Sequence, residues 1–337
     1  MIPFSVLDLC PIVEGSNAGQ AFKNSLDLAQ HTEALGYKRF WVAEHHSIPG
    51  IASAATAVVI AHIGAGTRTI RIGSGGIMLP NHAPLAIAEQ FGTLESLYPG
   101  RVDLGLGRAP GSDQATSQAL RRDQTAGEHF PKDVGELLYW FAPEQEGQRV
   151  VSVPGAGLNV PLWILGSSTW GAQFAAVNGF PFAFASHFAP TMMMPALDIY
   201  RQHFKPSEWL DKPYAMLALN VVTADTDEEA KLLYTSRQMS TLAIRFGRRN
   251  LLQPPDATLE SRIGPVERQI LDELLPGTVV GSPTTVKEGL KAFINKTGAD
   301  EIIIAAQIYD HQARLKSYAL TTKVRDEMAK EGFAAAA

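Results

Sequence analysis

Short apolar runs alternate with longer amphipathic segments from one end of the chain to the other, and this rhythm limits its fold more than any other feature. Runs of strand length between segments of helix length predict repeated βα units and a parallel sheet. Eight strands, each followed by a helix, are more than an open doubly wound sheet usually has, so they favour a closed (β/α)8 barrel, the TIM barrel. The predicted strands span residues 4–9, 39–43, 69–79, 101–107, 162–165, 181–186, 216–222 and 301–308.

A long insertion separates the seventh and eighth predicted strands. Its outer parts, residues 227–246 and 284–295, have the periodicity of helices. The stretch 247–276 between them is long, polar and interrupted by prolines, which is typical of a lid or a disordered loop. We expect a single domain over residues 1–330, followed by a frayed tail over residues 331–337.

The composition excludes several classes of protein. The 337 residues are 45% hydrophobic and 19% charged, which is typical of a globular protein. A net charge of −5 without a long Lys/Arg run argues against a nucleic-acid partner. The single cysteine, Cys10, makes an intrachain disulfide impossible. Since there is neither a basic leader nor an apolar stretch of about 18 residues, we expect a cytoplasmic protein without a membrane span.

Several common catalytic motifs are absent. Gly105, Gly107 and Gly111 come close to a dinucleotide-binding fingerprint, but Pro110 stands where its third glycine is needed. The chain has no G-x-S-x-G elbow, no HExxH helix and no Walker loop. These absences argue against a nicotinamide-binding enzyme, a serine hydrolase, a zinc protease and an NTPase.

Two adjacent histidines follow the second predicted strand, in the sequence Glu44-His45-His46. In a TIM barrel the C-terminal ends of the strands carry the active site, so this position favours a histidine that acts as an acid or base near neutral pH. The alternative is a pair of hydrogen-bonded loop histidines. Because neighbouring strand residues point to opposite sides, we do not expect His45 and His46 to bind one metal ion together.

Three glycines interrupt the third predicted strand in the run Gly73-Ser74-Gly75-Gly76. Glycine weakens a strand by roughly 0.5–1 kcal/mol relative to alanine, so the run answers a local demand. Close approach of a flat ligand to the backbone is one such demand, and a strained or cis peptide is another. Tight packing between helix and strand is a third, and the residues alone do not choose between them.

Polar groups that suit an anion follow the fourth and fifth predicted strands. The Arg108 guanidinium matches phosphate oxygens, although an ion pair with Asp103 is the alternative. The segment Gly166-Ser167-Ser168 opens a helix, where free N–H groups, hydroxyls and the helix dipole attract a phosphate. An ordinary N-cap would use the same residues. His187, after the sixth strand, adds a polar group to the same rim.

Five segments, taken together, resemble one known family. They are Trp41 to His46 (WVAEHH), Gly73 to Pro84 (GSGGIMLPNHAP), Asp103 to Asp113 (DLGLGRAPGSD), Gly166 to Ser168 (GSS) and Phe184 to His187 (FASH). The chain is similar to the luciferase-like flavin-dependent monooxygenases, and closer to the uncharacterised bacterial branch of that family than to its light-emitting subunits. The resemblance covers essentially the whole chain in order, and it is the combination that is specific.

The resemblance implies an FMN site at the C-terminal face of the barrel. By position, the Gly75-Gly76 peptide matches the family's non-prolyl cis peptide beneath the isoalloxazine ring. His45 matches the catalytic histidine, and the segment 247–276 matches a mobile lid. Gly107 stands where the light-emitting subunits carry a reactive cysteine, so light emission is not expected.

The predicted site combines the residues that the sequence singles out with those that the resemblance implies. In the family, phosphate-binding positions match Arg108, Ser167 and Ser168. The complete set is His45 and His46 as catalytic residues; Ser74, Gly75, Gly76, Arg108, Gly166, Ser167 and Ser168 as cofactor-binding residues; and Glu44, His82 and His187 as residues of the substrate pocket. No metal site is predicted.

The implied function is a monooxygenase that acts on a small organic substrate with molecular oxygen. Reduced FMN would come from a separate flavin reductase, because the chain lacks a nicotinamide fingerprint, and would form a peroxide with oxygen. The family also implies a homodimer. Two alternatives remain open: a deazaflavin-dependent dehydrogenase on the same barrel, and a flavin-binding protein without catalytic activity.

Overall fold

Parallel strands close into a barrel in the computed structural model, which describes residues 1–109, 113–122, 125–248, 250–275 and 277–333. The strands are β1 (Phe4–Asp8), β2 (Arg39–Val42), β3 (Arg71–Met78), β4 (Val102–Gly107), β5 (Leu162–Gly166), β6 (Phe182–Phe184), β7 (Ala215–Thr223), β8 (Thr278–Gly281) and β9 (Glu301–Ala305). Around the barrel the order is β6-β5-β4-β3-β2-β1-β9-β7, and pairing of β6 with β7 closes the ring. The predicted (β/α)8 barrel is confirmed.

One strand was not predicted. β8 lies outside the ring and pairs in parallel with the C-terminal half of β7, where Asn220 stands beside Thr278 and Thr223 beside Gly281. β7 therefore continues past the barrel, and β8 adds a further strand to the sheet beyond the C-terminal end of the barrel. The four residues of β8 lie between Pro276 and a helix, and so short a run gives little periodicity to recognise.

Helices connect the strands and surround the barrel. Side-chain caps begin the longest of them, since Asn17, Thr226 and Asp310 each accept a hydrogen bond from a first-turn backbone N–H. No helix in the described part of the chain combines the length and the apolar character that crossing a bilayer requires. The helices are α1 (Ala18–Ala34), α2 (Thr56–Gly66), α3 (Pro84–Leu97), α4 (Gln114–Ala119), α5 (Phe130–Phe141), α6 (Thr169–Asn178), α7 (Met193–His203), α8 (Asp227–Arg245), α9 (Leu259–Arg262), α10 (Pro265–Leu274), α11 (Pro283–Thr297) and α12 (His311–Lys330).

The insertion between β7 and β9 contains more regular structure than its sequence suggested. The expectation of a disordered loop over residues 247–276 is wrong for the described part, because α9 and α10 lie within it. Its first residues are attached to the barrel: Leu252 forms a parallel bridge with Val13, and its N–H donates to the Ile12 carbonyl over 3.0 Å. Predicted residues that fall outside the described chain are Pro110, Gly111, Pro276 and the tail Ala334–Ala337.

Alternate strand residues form two separate cores. Residues such as Val6 and Phe40 face outward and pack against the surrounding helices. The residues at the alternate strand positions point into the barrel lumen and form a second apolar cluster. In this cluster the Trp41 and Trp163 rings meet edge to face at 5.2 Å. Because side chains of a strand alternate between faces, each strand contributes to both cores.

A network of buried charges closes the N-terminal end of the lumen. Arg39 donates to Asp103 Oδ2 over 2.6 Å and to Glu301 Oε1 over 2.9 Å, and all three residues are buried. Arg71 binds the other oxygen of Asp103 at 2.6 Å, and the Tyr214 hydroxyl donates to Glu301 over 2.8 Å. Each carboxylate therefore has a cationic partner and further donors, which offsets the cost of burying it.

Candidate active site at the C-terminal end of the barrel

Small residues line the lumen near the C-terminal ends of the strands. Three alanines belong to the lumen cluster: Ala43 just past β2, Ala218 on β7 and Ala305 at the end of β9. A side chain at Gly75 would also point inward, where its Cβ would lie 2.7 Å from the Leu7 side chain. We refer to this C-terminal end of the lumen as the mouth; Leu9 and Leu165 pack beside its alanines, above bulky rings such as Trp41.

The glycine run of β3 is explained by close packing between strands. A Cβ at Gly76 would lie 2.8 Å from the Gly105 carbonyl oxygen, and one at Gly73 would overlap the Asp103 backbone. The pairing of β3 with β4 shifts register within this run. The Gly75–Gly76 peptide is cis, as the family resemblance implied.

Ser74 does not belong to the mouth, contrary to its predicted role in cofactor binding. It is fully buried and faces away from the lumen, and its hydroxyl donates to the Gly105 carbonyl over 2.8 Å. Its side chain helps hold β3 against β4 and has no free surface for a ligand.

Glu44 accepts hydrogen bonds from two histidines of the sequence motifs, His46 and His82. His46 Nε2 and His82 Nε2 donate to Glu44 Oε1 over 2.8 and 2.9 Å, and the Met78 N–H donates to the other oxygen over 2.9 Å. Burial alone would raise the pKa of the carboxyl, but the hydrogen bonds from His82 and His46 and the charge of His82 hold it below its usual 4.5. Glu44 was predicted to line the substrate pocket. It is fully buried, so it positions other groups instead.

His45 lies three residues past the end of β2, beside His46. It lies close enough to His187, beyond the end of β6, to affect that ring electrostatically. Burial, then the charge of Arg237, then His45 together lower the pKa of His187 to about 3, so this imidazole is neutral at physiological pH. His187 Nδ1 is buried and has no hydrogen-bond partner among the described residues. His45 and His187 are therefore neighbours at the C-terminal end of the barrel.

Arg108 lies at the end of β4 beside the N-terminus of α6. Its guanidinium stacks on the Trp170 ring at 4.1 Å, and Trp170 is in the first turn of that helix. The alternative ion pair with Asp103 does not form, because Asp103 is occupied by Arg39 and Arg71. The Ser168 side chain makes no capping hydrogen bond to the helix, and Ser167 is exposed. The guanidinium, the two hydroxyls and the helix N–H groups are therefore all available to an anion.

Gly166 acts through packing. A Cβ there would lie 3.2 Å from the Phe182 ring and 3.6 Å from the Gly171 Cα. The close approach of α6 to β5 brings the helix N-terminus to the rim of the barrel.

Two cavities lie outside the mouth. The predicted pocket residue His82 lines one of about 440 Å³, together with Arg121, Arg122 and Lys132. The other, of about 530 Å³, lies between α8 and the segment that follows it. In the described part of the chain, no group of three His, Cys, Asp or Glu side chains is arranged to hold a metal ion.

Two residues of the mouth were missed at the level of sequence. Arg237 on α8 donates from Nη1 to Gln307 Oε1 over 2.8 Å, and Gln307 follows directly after β9. Arg237 reads in the sequence as one more charge on an amphipathic helix. No local signal separates it from its exposed neighbours, because its partners come from the ends of β6 and β9.

A parallel (β/α)8 barrel that carries an arginine beside a helix N-terminus and two histidines at its C-terminal face has the arrangement typical of TIM-barrel enzymes, whose active sites lie at that face. Comparison with known proteins narrows this class. The family model for luciferase-like monooxygenases matches residues 2–301, and the chain belongs to this family.

Relatives with curated names agree with this assignment. The chain is 51% identical over 328 residues to a luciferase-like monooxygenase of Escherichia coli (strain K12), covering 97% of this chain and 98% of that one. It is 31% identical over 336 residues to the N-acetyl-S-alkylcysteine monooxygenase of Bacillus subtilis (strain 168), covering 95% and 97%. Among solved structures, apo-MsnO8 superposes with a TM-score of 0.89 at 34% identity, covering 97% of this chain and 99% of that one.

More distant structures share the fold and carry different cofactors. The oxygenating constituent of the 3,6-diketocamphane monooxygenase from Pseudomonas putida, solved with FMN, has a TM-score of 0.72 at 19% identity and covers 96% and 97% of the two chains. An F420-dependent secondary alcohol dehydrogenase has a TM-score of 0.69 at 12% identity, covering 96% and 98%. The fold thus serves both flavin and deazaflavin chemistry.

Proposed function

We propose that this protein is an FMN-dependent monooxygenase whose active site is the C-terminal mouth of the barrel. The observation that carries the proposal is Arg108, which has no carboxylate partner among the described residues and stacks on Trp170 at the free N-terminus of α6. An arginine of this kind beside helix N–H groups matches the phosphate of FMN. Family membership supports the oxygenase chemistry.

The residues of the mouth fit FMN from one end of the cofactor to the other. Arg108, Ser167 and Ser168 would hold the phosphate. The ring system would lie against Gly75 and Gly76, where the lumen is lined by alanines and backbone. Reduced FMN, when bound there, would supply the electrons that activate oxygen.

The protein's own residues would control protons and water. His45, at the end of β2, would transfer the proton to or from the reacting group. Glu44 would hold His46 in one orientation through its 2.8 Å hydrogen bond. Below them, the Trp41 and Trp163 rings close the lumen, so water would reach the mouth only from above.

Several further parts of the proposal concern partners. A separate reductase would deliver reduced FMN, and the substrate would be a small organic molecule. One relative is named for N-acetyl-S-alkylcysteine, which makes thioethers a reasonable first class to screen. The segment 247–276 would act as the lid, and two copies of the chain would form a homodimer.

A deazaflavin-dependent dehydrogenase is the second candidate, because an F420-dependent alcohol dehydrogenase shares the fold. Such an enzyme would transfer hydride without oxygen. Turnover with reduced or oxidised F420 under anaerobic conditions, and none with FMN and oxygen, would favour this candidate over the monooxygenase.

The phosphate contact is tested by comparing FMN with riboflavin, which lacks the phosphate. Equilibrium dialysis should show tighter binding of FMN to the wild type, and Arg108→Ala should weaken FMN binding by about tenfold or more while leaving riboflavin almost unchanged. Arg68→Ala, which removes an exposed arginine remote from the mouth, serves as the matched control. Equal losses for FMN and riboflavin would show that Arg108 does not bind the phosphate.

A further inference from the structure

Arg237 is a cation without a carboxylate partner within the described residues, in a half-buried position on α8. It makes no ion pair there, and its Nη1 donates a hydrogen bond to Gln307 Oε1 over 2.8 Å. Its Nε is buried and has no hydrogen-bond partner in the same part of the chain. Burial lowers the pKa of this guanidinium, with only Tyr234 acting in the other direction. Unsatisfied buried donors are rare in native proteins and point to a missing partner.

The groups around Arg237 explain what kind of partner is missing. His187 Nδ1 is likewise buried and unpartnered among the described residues, and Arg237 lies close enough to lower the pKa of that ring. Because Nη1 is occupied by Gln307, the edge formed by Nε and Nη2 remains for a ligand. That edge presents two parallel N–H donors, the arrangement that binds the two oxygens of a carboxylate.

The position of Arg237 separates this site from the proposed phosphate site. Gln307 follows β9, and β9 is the fourth strand from β4 in either direction around the ring β6-β5-β4-β3-β2-β1-β9-β7. Arg108, at the end of β4, therefore lies on the opposite side of the mouth. A phosphate bound by Arg108 leaves Arg237 without a counterion.

We propose that Arg237, supported by Gln307 and His187, binds a carboxylate carried by the substrate. The inference rests on the proposed function, since it places the substrate between Arg237 and a flavin at Gly75–Gly76. It restricts the substrate to organic acids whose reacting atom lies some distance from the carboxylate, which would be fixed at the β9 side of the mouth.

The test is a calorimetric titration of the FMN-loaded protein with a series of straight-chain carboxylates and the matching primary amides, which have nearly the same shape but no charge. The wild type should bind carboxylates about tenfold or more tightly than amides at the best chain length. Arg237→Met should remove this preference, and Arg237→Lys should keep part of it. Arg245→Met, at an exposed arginine on the same helix, should leave the preference intact.

Absence of a carboxylate preference at every chain length would overturn the inference, as would a preference that survives in Arg237→Met. A third outcome would identify a different ligand for Arg237, the pyrimidine edge of the flavin, in place of a substrate carboxylate. If Arg237→Met weakens FMN and riboflavin binding equally, Arg237 binds the cofactor ring and the inference is wrong. FMN binding to the wild type is measured separately, so failure of the flavin site itself would be recognised before any titration with acids.

Discussion

The two ends of the barrel lumen treat buried charge in opposite ways. At the N-terminal end, Arg39, Asp103 and Glu301 are fully buried and fully paired, with Arg71 and Tyr214 completing their hydrogen bonds. At the C-terminal end, Arg108 and Arg237 have no carboxylate partner among the described residues, and Arg237 Nε and His187 Nδ1 have no hydrogen-bond partner there. The same barrel thus has one closed electrostatic network and one incomplete one.

This difference in pairing separates the charges that stabilise the fold from those that are available to bind a ligand. Removing one partner of a buried ion pair destabilises the native state, because the other charge is then left uncompensated. Arg108 and Arg237 have no carboxylate partner among the described residues, so the fold loses little without them. Charges that the folded protein leaves unpaired at a barrel mouth are best explained by what they bind.

The strongest test of this comparison is to replace Arg39, which pairs with Asp103 and Glu301 at the N-terminal end of the lumen. Arg39→Met should lower the free energy of unfolding by about 3 kcal/mol, because Asp103 and Glu301 remain buried with fewer partners. Urea denaturation followed by circular dichroism measures this, with Arg68→Met as a surface control. A loss below about 1 kcal/mol would show that the paired network does not stabilise the fold.

Glu44 lies between the two extremes, since it is buried and paired but belongs to the mouth. Glu44→Gln should cost about 2 kcal/mol at neutral pH through weaker hydrogen bonds to His46 and His82. The carboxyl's lowered pKa contributes stability above its usual value of 4.5, and this contribution is lost as the pH falls through the lowered value. The difference in the free energy of unfolding between the variant and the wild type should therefore become smaller below about pH 4.5. A difference that stays constant from neutral pH to pH 3 would contradict the assigned role.

The smallest effect at neutral pH is expected for His187. Its pKa of about 3, against the usual 6.5, means that the unfolded chain binds the proton more readily than the native one between these values. The wild type thus loses stability as the pH falls below 6.5, and His187→Gln should lose less. Unfolding midpoints at several pH values test this; parallel curves would place His187 in a more exposed setting than the structure gives it.

The fold followed from sequence because each barrel strand is an apolar run bounded by a helix, and this pattern needs no knowledge of partners. Predicted strand 216–222, for example, differs from β7 by one residue at each end. β8 was missed because it is only four residues long, and α9 and α10 because proline-rich polar sequence resembles a loop. Local pattern fixes long elements better than short ones.

The site was predictable only where a motif marks a strand end. His45 and Arg108 carry such marks, and both lie at the mouth. The prediction for Ser74 was wrong because its side chain points to the outer face of the barrel, where it bonds the Gly105 carbonyl. A carboxylate beside histidines suggests a pocket residue, but Glu44 accepts four hydrogen bonds in the fold and is buried. Arg237 needed the folded barrel, since α8 and β9 are far apart in sequence.

The most direct test of the central claim, that the open end of the barrel binds reduced flavin for oxygen chemistry, is a stopped-flow experiment. The protein with reduced FMN is mixed with oxygenated buffer, and the absorbance of oxidised FMN is followed over time. A clear delay relative to free reduced FMN, abolished in Arg108→Ala at the same flavin concentration, is the expected result. Reoxidation at the rate of free flavin would contradict the monooxygenase and direct attention to the deazaflavin dehydrogenase.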